Sequence, residues 1–342
     1  MDTLHTRFTE AYGLRTPIAQ AGMAFVGMTP ALAVAVSNAG ALGSLGVGLM
    51  PAPALADTIG AIQRNTPHPF NVNFITPLTD DAQIDAVCAA APAVASFHWG
   101  HPKSAWIERL HAAGVRVFEQ VGSVETAIAA ADGGVDVIVA QGEEAGGHNY
   151  GTLPTFALVP LVVDAVAPVL VLASGGVADG RGLAAALMLG ADGVWVGTRF
   201  VATTESLAHD GYKARLVAAD ATGTTRTGLF GPDMPQFNPM RVLRNRVVRE
   251  WADRTGEIPA DTSDLPVIGR TQLGGFLGGP DVLEMHKFSN IVPMAGLTTG
   301  DLEEMALLSG QGVGLVDAVR PAAEVIAELT EQAITMLGRY RR

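Results

Sequence analysis

Eight short apolar runs punctuate the chain up to Phe200, and their spacing constrains the fold more than any other feature. They are PIAQAGMA (Pro17–Ala24), ALGSLG (Ala41–Gly46), FNVNFI (Phe70–Ile75), AVASFHW (Ala93–Trp99), VRVFEQV (Val115–Val121), VDVIV (Val135–Val139), VLVLAS (Val169–Ser174) and GVWVGTRF (Gly193–Phe200). One follows another roughly every 20–30 residues, and each reads as a strand followed by a segment with helical signals. Pro30 suits the first turn of one such helix, Thr79 stands as an N-cap before Asp80 and Asp81, and Ser123 caps another. Parallel strands joined through helices need their faces covered, which explains runs that are apolar rather than alternating. Eight such units predict an α/β fold of the (β/α)8 TIM-barrel type.

The strand count is complete at Phe200, yet the chain continues to Arg342. A helix is expected over Glu205–Ala219, then a turn-rich stretch over Thr222–Pro239 and an amphipathic basic helix over Arg241–Trp251, its arginines on a solvated face. Asp301–Val316 returns to the barrel and Ala322–Leu337 has helical spacing. The expected organisation is a barrel of residues 1–206 and 296–342 with an inserted, mainly helical cap of residues 207–295 over its mouth. Charged residues are only 16% of the chain and the net charge is −12, which disfavours nucleic acid or an anionic membrane as partner. The single cysteine, Cys88, leaves no internal disulfide and fits a reducing compartment. No apolar run is long enough to span a bilayer and the N-terminus lacks a signal-peptide core, so a cytoplasmic protein is expected. The oligomeric state is left open by the sequence.

Active sites of such barrels gather at the C-terminal ends of the strands. Those ends carry Gly22-Met23-Ala24, Asn73, His98, Gln120, Gln141, Ser174-Gly175-Gly176 and Gly197-Thr198. The stretch AQGEEAGGHNYG (Ala140–Gly151) follows the sixth strand, and Gly146 and Gly147 deliver His148 on a turn free of side chains. An imidazole there can exchange a proton near neutral pH, though a Gly-Gly pair after a strand is also an ordinary turn. The set lacks the carboxylate pair of a glycosidase and the clustered ligands of a metal site. It suits a planar, phosphorylated cofactor: glycines admit it, Asn and Gln address its polar edge, and the turns after strands seven and eight offer backbone N–H groups to a phosphate. No dinucleotide fingerprint follows the first strand, which favours a mononucleotide. His98 and Trp99 could wall a pocket or merely pack. Glu143 and Glu144 could tune His148 or cap the next turn.

PIAQAGMA, NVNF, SFHWGHP, QGEEAGGH, ASGGVADGRG and GVWVGTRFVATTES, in this order, together with SGQGVGLV (Ser309–Val316), resemble the nitronate monooxygenase (2-nitropropane dioxygenase) family. The resemblance implies an FMN-dependent barrel with a lid that oxidises alkyl nitronates with O2 to a carbonyl compound and nitrite. It implies that His148 is the catalytic histidine, that Gly22, Met23 and Ala24 lie against the flavin, and that Asn73 and Gln141 bond its polar groups. Gly146 and Gly147 would pass close to the cofactor, and Ser174, Gly175, Gly176, Gly197 and Thr198 would cradle its phosphate. The implied partners are a small-molecule substrate and O2. One departure is GGHNYG, where Tyr150 precedes a glycine that family members often place one residue earlier. Enoyl-ACP reductases of the second type and NAD(P)H:quinone reductases share the GGH and SGG motifs. An NAD(P)H-dependent flavin reductase acting on a quinone or an enoyl thioester is therefore the alternative reading.

Overall fold

The computed structural model describes residues 3–149, 151–274 and 281–339; Tyr150 lies outside the described residues. Eight strands form one parallel sheet: β1 (Ile18–Gln20), β2 (Gly43–Gly46), β3 (Phe70–Ile75), β4 (Val94–His98), β5 (Arg116–Val121), β6 (Val137–Gln141), β8 (Leu170–Ser174) and β9 (Gly193–Val196). β7 (Gly147–His148) stands outside it. The order β1-β9-β8-β6-β5-β4-β3-β2 runs once around a ring. It closes where Ala19 bridges Leu42: Gln20 N–H donates to the Leu42 carbonyl and Leu42 N–H to the Ile18 carbonyl, both at 2.9 Å. The molecule is a TIM barrel.

Side-chain alternation along the strands builds two cores. Ile18, Val117, Ile138, Val171 and Val194 join the layer between strands and helices, whereas Ala19, Phe118, Val137, Val139, Leu172 and Trp195 pack together inside the barrel. Phe8, from the helix Arg7–Tyr12, joins the interior cluster, and Arg7 pairs with Asp192 just before β9 at 2.7 Å. That helix therefore closes the N-terminal end. Each fully buried Leu, Ile or Val contributes roughly 1.5–3 kcal/mol, so the outer layer is the main source of stability. On the β1–β4 side the interior turns polar. Ser44 N–H donates to Gln20 Oε1 at 2.7 Å, and Asn71 Nδ2 donates to the hydroxyls of Ser44 and Ser96. A polar sector at one side of an apolar interior leaves room for chemistry above it.

After β9 the chain departs from expectation in detail. The strand ends at Val196 and a short helix, Thr198–Val201, begins at once. The helix foreseen over Glu205–Ala219 starts only at Asp210, and that foreseen over Arg241–Trp251 splits into β11 (Met240–Leu243) and a helix Arg246–Trp251. Asn245 causes the split: its side chain accepts Val248 N–H as an N-cap, and its amide donates to the Met305 carbonyl at 2.8 Å. β10 (Thr224–Thr227), β11 and β7 form an antiparallel sheet, and β12 (Val267–Thr271), β13 (Leu283–His286) and β14 (Thr298–Gly300) form a second. The described residues of 207–295 are thus as much strand as helix, a correction to the mainly helical cap. Pairing with other strands, invisible in local periodicity, decides their state. The terminal helix, Ala322–Gly338, packs against the helices Gly180–Met188 and Pro30–Asn38, as its apolar spacing foretold.

Candidate active site

Gln141 ends β6, and the loop that follows is held from several sides. Gly142 N–H donates to the Ser174 carbonyl at 2.9 Å. The Glu144 carboxylate accepts Thr155 N–H and the Thr155 hydroxyl, each at 2.9 Å. The helix Thr155–Val166 starts after Pro154, which offers no side-chain cap, so Glu144 supplies one from across the loop. Of its two readings, capping is the one the geometry supports. Gly146 packs so tightly that a Cβ there would lie 2.4 Å from Gly310 N, and Gly147 takes φ +75°. The turn can only be glycine.

β7 then pairs with β11, Gly147 opposite Arg241 and His148 opposite Met240. His148 Nδ1 lies 2.6 Å from the Phe237 carbonyl oxygen. A carbonyl only accepts, so Nδ1 carries the proton, and in the neutral ring Nε2 keeps its lone pair. Burial lowers the His148 pKa below the ordinary imidazole value, against the opposing effect of the Phe237 hydrogen bond. Trp99 meets the imidazole edge-on at a centroid distance of 4.9 Å and Phe237 at 4.7 Å. Burial, with the His148 charge second, pushes neighbouring His98 down to about 3. Both histidines are neutral at pH 7, and among the described residues His148 Nε2, at the end of the glycine turn, has no hydrogen-bond partner. The rings of Trp99 and Phe237 flank the imidazole.

The remaining strand ends divide into two groups. Around β1–β3, a Cβ on Gly22 would strike Asn73 at 2.1 Å, and one on Gly46 would strike the Met23 carbonyl at 2.3 Å. Gly22-Met23-Ala24 therefore runs flush against Asn73 and Gly46, while Asn73 Nδ2 donates to the Ser96 hydroxyl at 2.7 Å. Gln141 Nε2 reaches the His148 carbonyl at 3.5 Å, and Gln120 lies half-buried on β5, two residues from inward-facing Phe118. At the other side, buried Ser174 leads into Gly175 (φ +107°) and Gly176 (φ +73°). The Ser309–Leu315 return loop gathers these turns: Gly310 N–H donates to Thr198 Oγ1 at 2.9 Å, Gln311 N–H donates to the Glu144 carbonyl at 2.9 Å, and a Cβ on Gly312 would sit 2.8 Å from the Gly176 carbonyl. The loops bearing Gly146, Gly176 and Thr198 thus meet at one place. Side-chain-free backbone in left-handed conformation, two amide side chains and a hydroxyl fit a planar, phosphorylated cofactor.

Residues that sequence reading passed over also belong here. Phe237 sat in a stretch read as turns. Arg241, only 6% exposed, donates from Nε to the Glu143 carbonyl at 3.0 Å, and Arg226 Nη2 donates to the Asn149 carbonyl at 2.9 Å. The density of arginine in RVLRNRVVREW was the available signal, but a basic helix face is the commoner cause. Gly310 and Gly312 were visible as SGQGVG.

Comparison with known proteins identifies the family. The family model for nitronate monooxygenase matches residues 5–90 and 76–332. A probable nitronate monooxygenase of Staphylococcus aureus is 30% identical over 98% of this chain and 99% of its own. The (3aS,4S,5R,7aS)-5-hydroxy-7a-methyl-1-oxo-octahydro-1H-indene-4-carboxyl-CoA dehydrogenase of Rhodococcus jostii is 35% identical over 98% of this chain and 97% of its own. The solved structure of FabK from Thermotoga maritima superposes with a TM-score of 0.82 at 34% identity, covering 98% of both chains. With a family match over nearly the whole chain and a 30% identical relative covered almost end to end, the chain belongs to the nitronate monooxygenase family and is an oxidoreductase of that family.

Proposed function

We propose that this protein is an FMN-dependent nitronate monooxygenase, oxidising small alkyl nitronates with O2 to a carbonyl compound and nitrite. The observation that carries the reading is His148, neutral, with Nδ1–H committed to the Phe237 carbonyl and Nε2 bare. Bound FMN would supply the two-electron chemistry, taking electrons from the substrate and returning them to O2. Ser174, Gly175, Gly176, Gly197 and Thr198 would hold its phosphate, Gly22, Met23 and Ala24 would lie against its ring, and Asn73, Gln120 and Gln141 would address the polar edge. Gly146 and Gly147 let the backbone come close without a Cβ. With a neutral nitroalkane, His148 Nε2 accepts the proton from the carbon bearing the nitro group, which leaves the nitronate. Trp99 and Phe237, beside the imidazole, would help to exclude water from the site. Residues 207–295 would serve as the lid and shape the substrate pocket.

The CoA thioester named for the Rhodococcus relative favours a second reading, an NAD(P)H-dependent reductase of an enoyl thioester or a quinone. One anaerobic experiment separates the two. The flavin-loaded protein is mixed separately with NADH, NADPH and a nitronate, and flavin absorbance is followed. Bleaching by the nitronate alone, with nitrite formed on admitting air, is the expected result. Rapid bleaching by NADH or NADPH with no nitrite from nitronates gives the case to the reductase.

A further inference from the structure

We propose that the strands after the barrel are the positioning device of the catalytic histidine: the Phe237 carbonyl selects its tautomer, while Arg226 and Arg241 hold the loop that carries it. The inference rests on the reading of His148 as the proton-transfer residue.

The barrel holds the base of the loop through Gly142 and Gln141, but the imidazole itself is tied from outside the barrel. The ties from outside the barrel come from residues 224–243. β11 pairs with β7, Asn149 N–H donates to the Pro239 carbonyl at 3.0 Å, and Phe237 takes the Nδ1 proton. On the small sheet, Met240 and His148 are directly opposed and share one face; Arg226, Arg241 and Gly147 are opposed in turn and share the other. Two arginines directly across an antiparallel pair repel each other. Arg241 is buried as well, so this arrangement has a cost that an apolar pair would avoid. Its return lies in the acceptors. The guanidinium of Arg241 takes the Glu143 carbonyl and that of Arg226 takes the Asn149 carbonyl, one at each end of the turn that delivers His148. The Glu143 carboxylate, 3.8 Å from Arg226, offsets part of the repulsion. Charged donors make stronger hydrogen bonds to carbonyls than neutral ones, so the two arginines pin both ends of a glycine-rich loop, adding to the bonds that Asn149 makes within it to Gly142 and Ala145. Imidazole orientation then follows from the backbone, and the tautomer from Phe237.

The consequence is chemical. With Nδ1–H engaged by a carbonyl, the nitrogen left for substrate is an acceptor, so the lid strands decide that His148 receives a proton rather than donates one. The titratable and charged groups about it are His98 from β4, Glu143 and Glu144 from its own loop, and Arg226 and Arg241 from β10 and β11.

The test uses the full, flavin-loaded chain labelled with 15N in histidine, with long-range proton–nitrogen spectra from about pH 5 to about pH 9. His148→Gln assigns the signal. The wild-type ring should show a protonated Nδ1 and a bare Nε2, and should stay neutral below the ordinary midpoint of 6.5. Arg241→Gln should yield a mixture of tautomers and a midpoint moved toward 6.5, with unchanged flavin content and a turnover loss of up to about 10²-fold, the scale of a small misplacement. Arg241→Lys, which can still reach a carbonyl, should recover most of both. Phe237→Ala keeps the carbonyl and should keep the tautomer. If Arg241→Gln fails to fold by circular dichroism, Arg226→Gln carries the same comparison. A wild-type ring protonated on Nε2 overturns the proposal, as does an arginine variant that loses turnover while tautomer and midpoint stay put. Reduction of the flavin by NADH instead of a nitronate would overturn the proposed function and leave these spectra as they are.

Discussion

His148 and His98 are both held neutral by burial, and two predictions separate their roles. Replacing His148 with Ala removes a proton acceptor but no phosphate ligand, so flavin content should be close to wild type. Turnover of a neutral nitroalkane should fall about 10²–10⁴-fold, the usual contribution of a general base, and less with a preformed nitronate. Oxygen consumption with both substrate forms measures this; equal rates for mutant and wild type would make His148 a lining residue only. His98 has a folded pKa of about 3 against an ordinary 6.5. The unfolded chain binds the extra proton first, so the stability His98 contributes is complete above about pH 6.5 and drains as pH falls toward 3. Melting temperature followed from neutral to acid pH should therefore drop less steeply in His98→Asn than in wild type. Parallel slopes would show that the imidazole titrates freely in the folded state.

Loops rather than strands carry the risk at the scale of elements. Gly146→Ala would place a Cβ 2.4 Å from Gly310 N, against backbone that cannot swing away. Gly176→Ala meets only the Glu144 side chain, at 3.6 Å and 3.9 Å, and suffers mainly from φ +73°, worth about 1–2 kcal/mol. Gly146→Ala should accordingly be the more destabilising in urea, while both reduce flavin retention. Glu144→Ala strips the cap from Thr155 and should cost about 1–2 kcal/mol, again read from urea unfolding; an unchanged midpoint would leave Thr155 capped by other means. All eight barrel strands were legible in the sequence, because a parallel strand covered on both sides announces itself as a short apolar run. Strand β11 was not. RVLRNRVVREW has the periodicity of a helix, and only the partner strands β7 and β10, together with the Asn245 cap, make its first residues extended. The site was legible to the same extent: residues at strand ends could be named, whereas Phe237 and the two arginines act through backbone carbonyls, which leave no mark on residue identity.

For the molecule as a whole, a net charge of −12 fits a small-molecule site better than a polyanionic partner, and among the described residues no helix is long and apolar enough to cross a membrane. The protein should purify yellow, with about one FMN released per chain on denaturation, as one nucleotide site at the seventh and eighth barrel strands requires. Colourless protein that rejects added FMN would remove the flavin reading altogether. The Ser309–Leu315 return loop has a bearing on how such a molecule is made. It bonds Thr198 and the Glu144 carbonyl and packs on Gly146 and Gly176, yet it is translated long after the last barrel strand. A ribosome-bound chain stalled before Ser309 would hold all eight strands and the contact between Gly142 and Ser174, yet would lack the loop that ties these turns to Thr198. On the proposed reading the flavin site would be complete only once the return loop has joined these turns, so a nascent barrel lacking that loop should hold flavin poorly.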